Sequence, residues 1–90
     1  GANELNIDSY VSVYPNPSAG SINVYIGLQN AGHVNVKVRN VLGDVIAESS
    51  DPLSTKNKFF FNLNDQASGV YFVEVKTDNG SAVKKVMISK

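Results

Sequence analysis

The chain has 90 residues, 42% of them hydrophobic, with eight Lys or Arg against eight Asp or Glu and no cysteine. That length carries one domain with a modest core. The balanced charge argues against a basic nucleic-acid or membrane-surface patch, the missing cysteines exclude a disulfide framework or thiolate metal site, and no apolar run approaches the ~20 residues of a membrane-spanning helix.

In chain order, Gly1 to Asp8 is short, polar and unpatterned, so residues 1–9 read as a linker, with a domain over residues 10–90. A start at Gly1 with no signal peptide suggests a piece cut from a longer protein. Tyr10 to Tyr14 is a short strand that Pro15 ends, and Pro15-Asn16-Pro17-Ser18-Ala19-Gly20 is a fixed turn for a sheet edge or corner. Ile22, Val24, Ile26 and Leu28 alternate with polar or small residues, as a half-buried strand does, and Gln29 to Gly32 is a turn. Val34, Val36 and Val38 repeat the alternation. Asn40-Val41-Leu42-Gly43 is a turn with Gly43 at the left-handed position. Val45-Ile46-Ala47 forms a further strand, followed by a polar loop from Asp51 to Asn57. Phe59, Phe61 and Leu63 face a core while Phe60 points outward. Asn64 to Gly69 is a corner.

The C-terminal stretch holds the strongest local signal. Val70 to Lys76 and Ala82 to Ile88 flank Asn79-Gly80, a pair suited to a type I′ hairpin turn. A loop at Asn79-Gly80 sets Glu74 opposite Lys85, Val73 opposite Val86 and Tyr71 opposite Ile88. One face then carries Tyr71, Val73, Val75, Val86 and Ile88, and the other Phe72, Glu74, Lys76 and Lys85. A competing register places a type I turn at Asp78-Asn79 with Gly80 as a bulge, and ranks second because it would set Lys85 beside the apolar set. No stretch has helical periodicity over three turns. Seven short strands with turn signals between them predict an all-β, seven-stranded, immunoglobulin-like antiparallel β-sandwich.

Little in the chain suggests chemistry. The one histidine, His33, sits at a turn-to-strand boundary and reads as a solvated surface residue. The carboxylates are scattered through turns, with no calcium loop, and the glycines follow turn signals rather than cradling phosphate. No catalytic residue, metal or cofactor is expected. Exposed Phe60 with Tyr25 would form a small platform for sugar or peptide, and Lys84-Lys85 suits a solvated edge strand. The residues alone therefore describe a non-catalytic module appended to something else: a sugar-binding or adhesion module, or a fibronectin-like spacer.

Four stretches go further: Val13-Tyr14-Pro15-Asn16-Pro17 followed by Gly20; Val36-Lys37-Val38 leading to Val41-Leu42-Gly43; Ser68-Gly69-Val70-Tyr71; and Lys84-Lys85-Val86 near the end. In this order and spacing the chain resembles the type A C-terminal sorting domain of the type IX secretion system of Bacteroidetes, over about residues 10–90. One departure is Arg39-Asn40, where the family often has Tyr-Asp before the Leu-Gly turn. The resemblance implies a parent protein whose N-terminal cargo crosses the periplasm and reaches the cell surface or medium. Its implied partners are the type IX translocon and an outer-membrane shuttle and sortase complex. A sortase-like peptidase would cleave within Gly1 to Ser9. Targeting would rest on Ala82 to Lys90, with Lys84, Lys85, Val86, Ile88 and Lys90 as recognition residues. A receptor strand could add to an open C-terminal sheet edge. Self-association through edge strands is a further expectation, whereas nucleic-acid binding and membrane insertion are not.

Overall fold

The computed structural model describes residues 5–27, 32–54 and 58–90. It contains β1 (Leu5–Asn6), a 3-10 turn (Asp8–Tyr10), β2 (Val11–Tyr14), β3 (Ser21–Ile26), β4 (Gly32–Arg39), β5 (Val45–Ser54), β6 (Lys58–Asn62), β7 (Gly69–Thr77) and β8 (Gly80–Ile88). Two sheets form, one ordered β1-β8-β7-β4-β5 and the other β2-β3-β6. All pairs are antiparallel except β1 with β8. The chain crosses between sheets after β1, β3, β5 and β6, and from β2 onward this is the Greek-key connectivity of an immunoglobulin-like sandwich.

Alternation explains the layers. Every second residue of β3, β4 and β7 is buried: Ile22, Val24 and Ile26; Val34, Val36 and Val38; Tyr71, Val73 and Val75. Phe59 and Phe61 of β6, with Ala82, Val86 and Ile88 of β8, close the same core. Leu63 seals it beyond β6. β-branched side chains at these positions are stiff and pack well on a pleated surface. Tyr71 lies near the start of β7, and its hydroxyl donates to the Ala67 carbonyl at 2.6 Å. This is the tyrosine corner that pins the crossing between sheets in such sandwiches.

The structure alters three expectations. The segment expected as a linker joins the fold from Leu5 onward: β1 pairs with Gly80 and Ser81, the Ile7 amide donates to the Ser81 carbonyl, and Ile7 is buried. This adds a strand to the seven expected. The polar loop at Asp51 instead continues β5, which pairs with β4 as far as Ser54 opposite Gly32. β5 is an edge strand, so Pro52 removes a donor on which no neighbour depends. Leu28, the turn over 29–31, and the loop over 55–57 lie outside the described residues.

The last change is the hairpin. Its loop is Asp78-Asn79, with Thr77 opposite Gly80, Val73 opposite Lys84, Phe72 opposite Lys85 and Tyr71 opposite Val86. No non-glycine among the described residues has positive φ, which excludes type I′. The Thr77 hydroxyl explains the choice: it accepts from the Asn79 amide at 3.1 Å and donates to the Gly80 carbonyl at 3.3 Å. The register differs from the expected one by two residues, so side chains keep their faces and Lys85 stays exposed. The expected Glu74–Lys85 pair is lost. Glu74 stands between Val83 and Lys37, with Arg39 Nη2 at 3.6 Å from its carboxylate.

Candidate functional site

Register places the four sequence stretches at one end of the sandwich. Tyr14 lies opposite Asn23 at the end of β2, Arg39 opposite both Val45 and Phe72, Asn62 opposite Ser21, and Gly69 opposite Ile88. The β2–β3 connection, the β4–β5 turn, the β6–β7 corner and the C-terminus therefore converge there. Hydrogen bonds stitch them together. The Leu63 amide donates to the Gly20 carbonyl at 2.7 Å. The Lys90 amide donates to Ser68 Oγ at 3.1 Å, and Lys90 Nζ donates to the Asn64 carbonyl.

Pro15 to Ser18 forms a strap along β8, with cis peptide bonds before Pro15 and Pro17. Asn16 Nδ2 donates to the Lys85 carbonyl and Asn16 Oδ1 accepts from the Met87 amide, both at 3.0 Å. A carboxamide has one donor group and one acceptor, so this side chain substitutes for a peptide unit of a neighbouring strand. The strap then becomes a true neighbour. The Ser18 amide donates to the Met87 carbonyl, and the Ser89 amide to the Ser18 carbonyl, both at 2.8 Å. Ser18 itself is buried, with Oγ held between the Ser21 carbonyl and the Gly20 amide. The expectation of an open C-terminal edge is thereby corrected: β1 and Ile7 cover one end of β8 and the strap covers the other.

Asn16→Ala is expected to cost about 1–3 kcal/mol, from two bonds worth about 0.5–1.5 kcal/mol each. Asn16→Asp should cost at least as much, because a carboxylate cannot donate to the Lys85 carbonyl. Chemical denaturation of both variants checks this, and an Asp variant as stable as the parent would refute the clamp.

The expected recognition residues divide sharply. Val86 and Ile88 are fully buried, so their side chains belong to the core. Lys90 is tied to the β6–β7 corner. Lys84 lies on the inward side of β8 opposite Val73, and Lys85 on the outer face opposite Phe72. The expected motif residues divide likewise. Tyr71, Gly20 and Asn16 hold the fold, and Tyr14 is exposed at the end of β2. Gly43 adopts φ +88° in a turn organised by Asn40. Asn40 Oδ1 accepts from the Leu42 and Asp44 amides, both at 3.0 Å, and the Arg39 guanidinium donates to the Gly43 carbonyl at 2.9 Å. Arg39-Asn40 thus builds the turn by its own means. Leu42, at its tip, is 82% exposed. Phe60 and Tyr25 are exposed on the outer face of the three-stranded sheet, away from β8.

Sequence reading did not assign the clamp role of Asn16, the buried Ser18 or the exposed Val41 and Met87. Two prolines flanking an asparagine did indicate a segment unable to join a ladder through its own amides. Which strand it would cover depends on contacts 69 and 71 residues away.

Comparison with known proteins covers nearly the whole chain. The family described as "Secretion system C-terminal sorting domain" matches residues 12–89. A protein of Formosa agariphila named an endo-acting ulvan lyase is 33% identical over 85 residues, covering 91% of this chain. The chain spans 15% of that relative's length. An immunoglobulin-like β-sandwich protein of the DUF3244 family from Bacteroides vulgatus superposes with a TM-score of 0.72 at 10% identity, over 89% of this chain and 84% of that one. At that identity the likeness speaks for the fold.

Proposed function

Because the chain belongs to the secretion system C-terminal sorting domain family, the C-terminal sorting signal of type IX secretion, we propose that the type IX machinery reads the end of the sandwich where the four stretches meet. The family is non-catalytic, and its membership implies a parent cargo protein and export toward the cell surface or the medium. The supporting observation is the convergence itself: stretches scattered over the chain meet at one end, around the C-terminus. In this reading the cargo precedes the domain, passes through the periplasm, and crosses the outer membrane by the translocon with its shuttle and sortase complex. The naming of the Formosa agariphila relative favours an exported enzyme as cargo. Lys85 is the directly contacted lysine. Val86, Ile88 and Lys90 act by holding β8 in place, and Lys84 lies along the same strand.

A sortase-like peptidase then removes the domain. Peptidases need an extended, unpaired segment, and among the described residues Leu5 and Asn6 are already paired with β8. Cleavage is therefore expected on the N-terminal side of Leu5, narrower than Gly1 to Ser9.

The test is export of a fluorescent protein carrying residues 1–90 at its C-terminus, in a strain with the type IX system and in a translocon-deficient strain. The expected result is reporter at the surface or in the medium of the first strain only, with a released domain whose N-terminus lies at or before Leu5. Retention in the periplasm of both strains would sink the sorting reading.

A further inference from the structure

We propose that the receptor-facing surface is the outer face of the five-stranded sheet at its crowded end, and that it docks on an apolar surface rimmed by carboxylates. This rests on the sorting reading above. Register makes the face contiguous. Val70 stands opposite Met87, and Phe72 stands between Arg39 and Lys85. Val45 lies opposite Arg39 on the other side. With strands about 4.8 Å apart, the row from Val45 to Lys85 spans about 14 Å. The β4–β5 turn extends it with Val41, 69% exposed, and Leu42.

Three observations give this face its meaning. First, its aliphatics have no task in the fold: Val41, Leu42, Val45, Val83 and Met87 are all exposed, while the core is complete without them. Exposed apolar groups gathered in one place mark interaction sites, whereas scattered ones do not. Second, Leu42 is held out on a rigid turn. The Asn40 side chain fixes its amide, and the Arg39 guanidinium closes the turn from below. A pre-ordered anchor loses little entropy on docking. Third, basic groups stand at the centre of the face. Arg39 and Lys85 flank Phe72, while Glu74 is within 3.6 Å of Arg39 and Asp44 lies at the margin, on the β4–β5 turn beside Val45. Among the described residues no acid forms an ion pair with Lys85. A carboxylate-bearing partner would therefore be steered to this face and held in register on it.

The experiment uses the export fusion with Leu42→Asp, Lys85→Glu and Met87→Asp, and with Phe60→Asp on the opposite outer face as control. All four residues are exposed, and thermal unfolding followed by circular dichroism confirms folding of each. Leu42→Asp and Lys85→Glu should each lower the exported fraction at least about tenfold, the loss typical of a central interface residue. Phe60→Asp should stay within about twofold of the parent. Export of folded Leu42→Asp and Lys85→Glu at parental level overturns the proposal, as does an equal loss for Phe60→Asp. Sedimentation of the isolated chain adds one more arm: a dimer that Leu42→Asp dissolves would make the occupant a second copy and overturn it too. If the parent fusion itself fails to leave the periplasm, the sorting reading falls, and this proposal with it.

Discussion

A chain ending at Lys85 is expected to show no cooperative unfolding transition. Removing Val86 to Lys90 takes two fully buried side chains, Val86 and Ile88, out of the core. It also removes the Met87 and Ser89 bonds to the strap and both Lys90 bonds to the β6–β7 corner. The side chains alone are worth on the order of 4–8 kcal/mol, and a domain of this size has about 5–15 kcal/mol in all. Thermal unfolding by circular dichroism measures this, and a sharp transition near the parent's would contradict it. The consequence for interpretation is direct. Loss of export on trimming the C-terminus reports the fold before it reports an address. Leu42 and Lys85, outside the core, separate the two.

Gly20→Val is expected to lower the melting temperature by more than about 10 °C. Gly20 has φ +148°, a conformation costing a residue with Cβ about 1–3 kcal/mol. A Cβ there would also collide with Asn64 Oδ1 and stand 3.4 Å from the Asn64 Cα. Relief requires the Asn64 side chain to turn away from Gly20, at a cost added to the conformational one. Gly69→Val is the control: φ is +155°, but nothing lies within 4 Å of the added atom. It should lose only the conformational part, so equal losses at both positions would show that the contact with Asn64 contributes nothing.

Much of the sandwich is legible from alternation. β3, β4, β6 and β7 each bury every second residue, and Val, Ile and Phe at those positions leave few alternatives to half-buried strands. β1 is not legible, because two residues carry no period. The extension of β5 is not legible either, because Asp51-Pro52 has loop chemistry and only its place at a sheet edge makes it a strand. The hairpin turned on one hydroxyl: Thr77 favours a loop at Asp78-Asn79 over the glycine-containing pair that follows. The site was legible as four stretches and not as a place. That Leu42 is bare while Val86 is covered depends on which strands lie alongside, and no local pattern encodes it.

The Asn16 clamp joins residues 69 and 71 positions apart in the chain. Of the strands in this domain β8 is made last, and it is an inner strand of the five-stranded sheet and the partner of the strap. The domain therefore cannot close until β8 has been synthesised. A product that stops early, by premature termination or proteolytic loss, carries its cargo but no folded tail. In the sorting reading such a product has no address, so the fold makes export conditional on a chain made through β8.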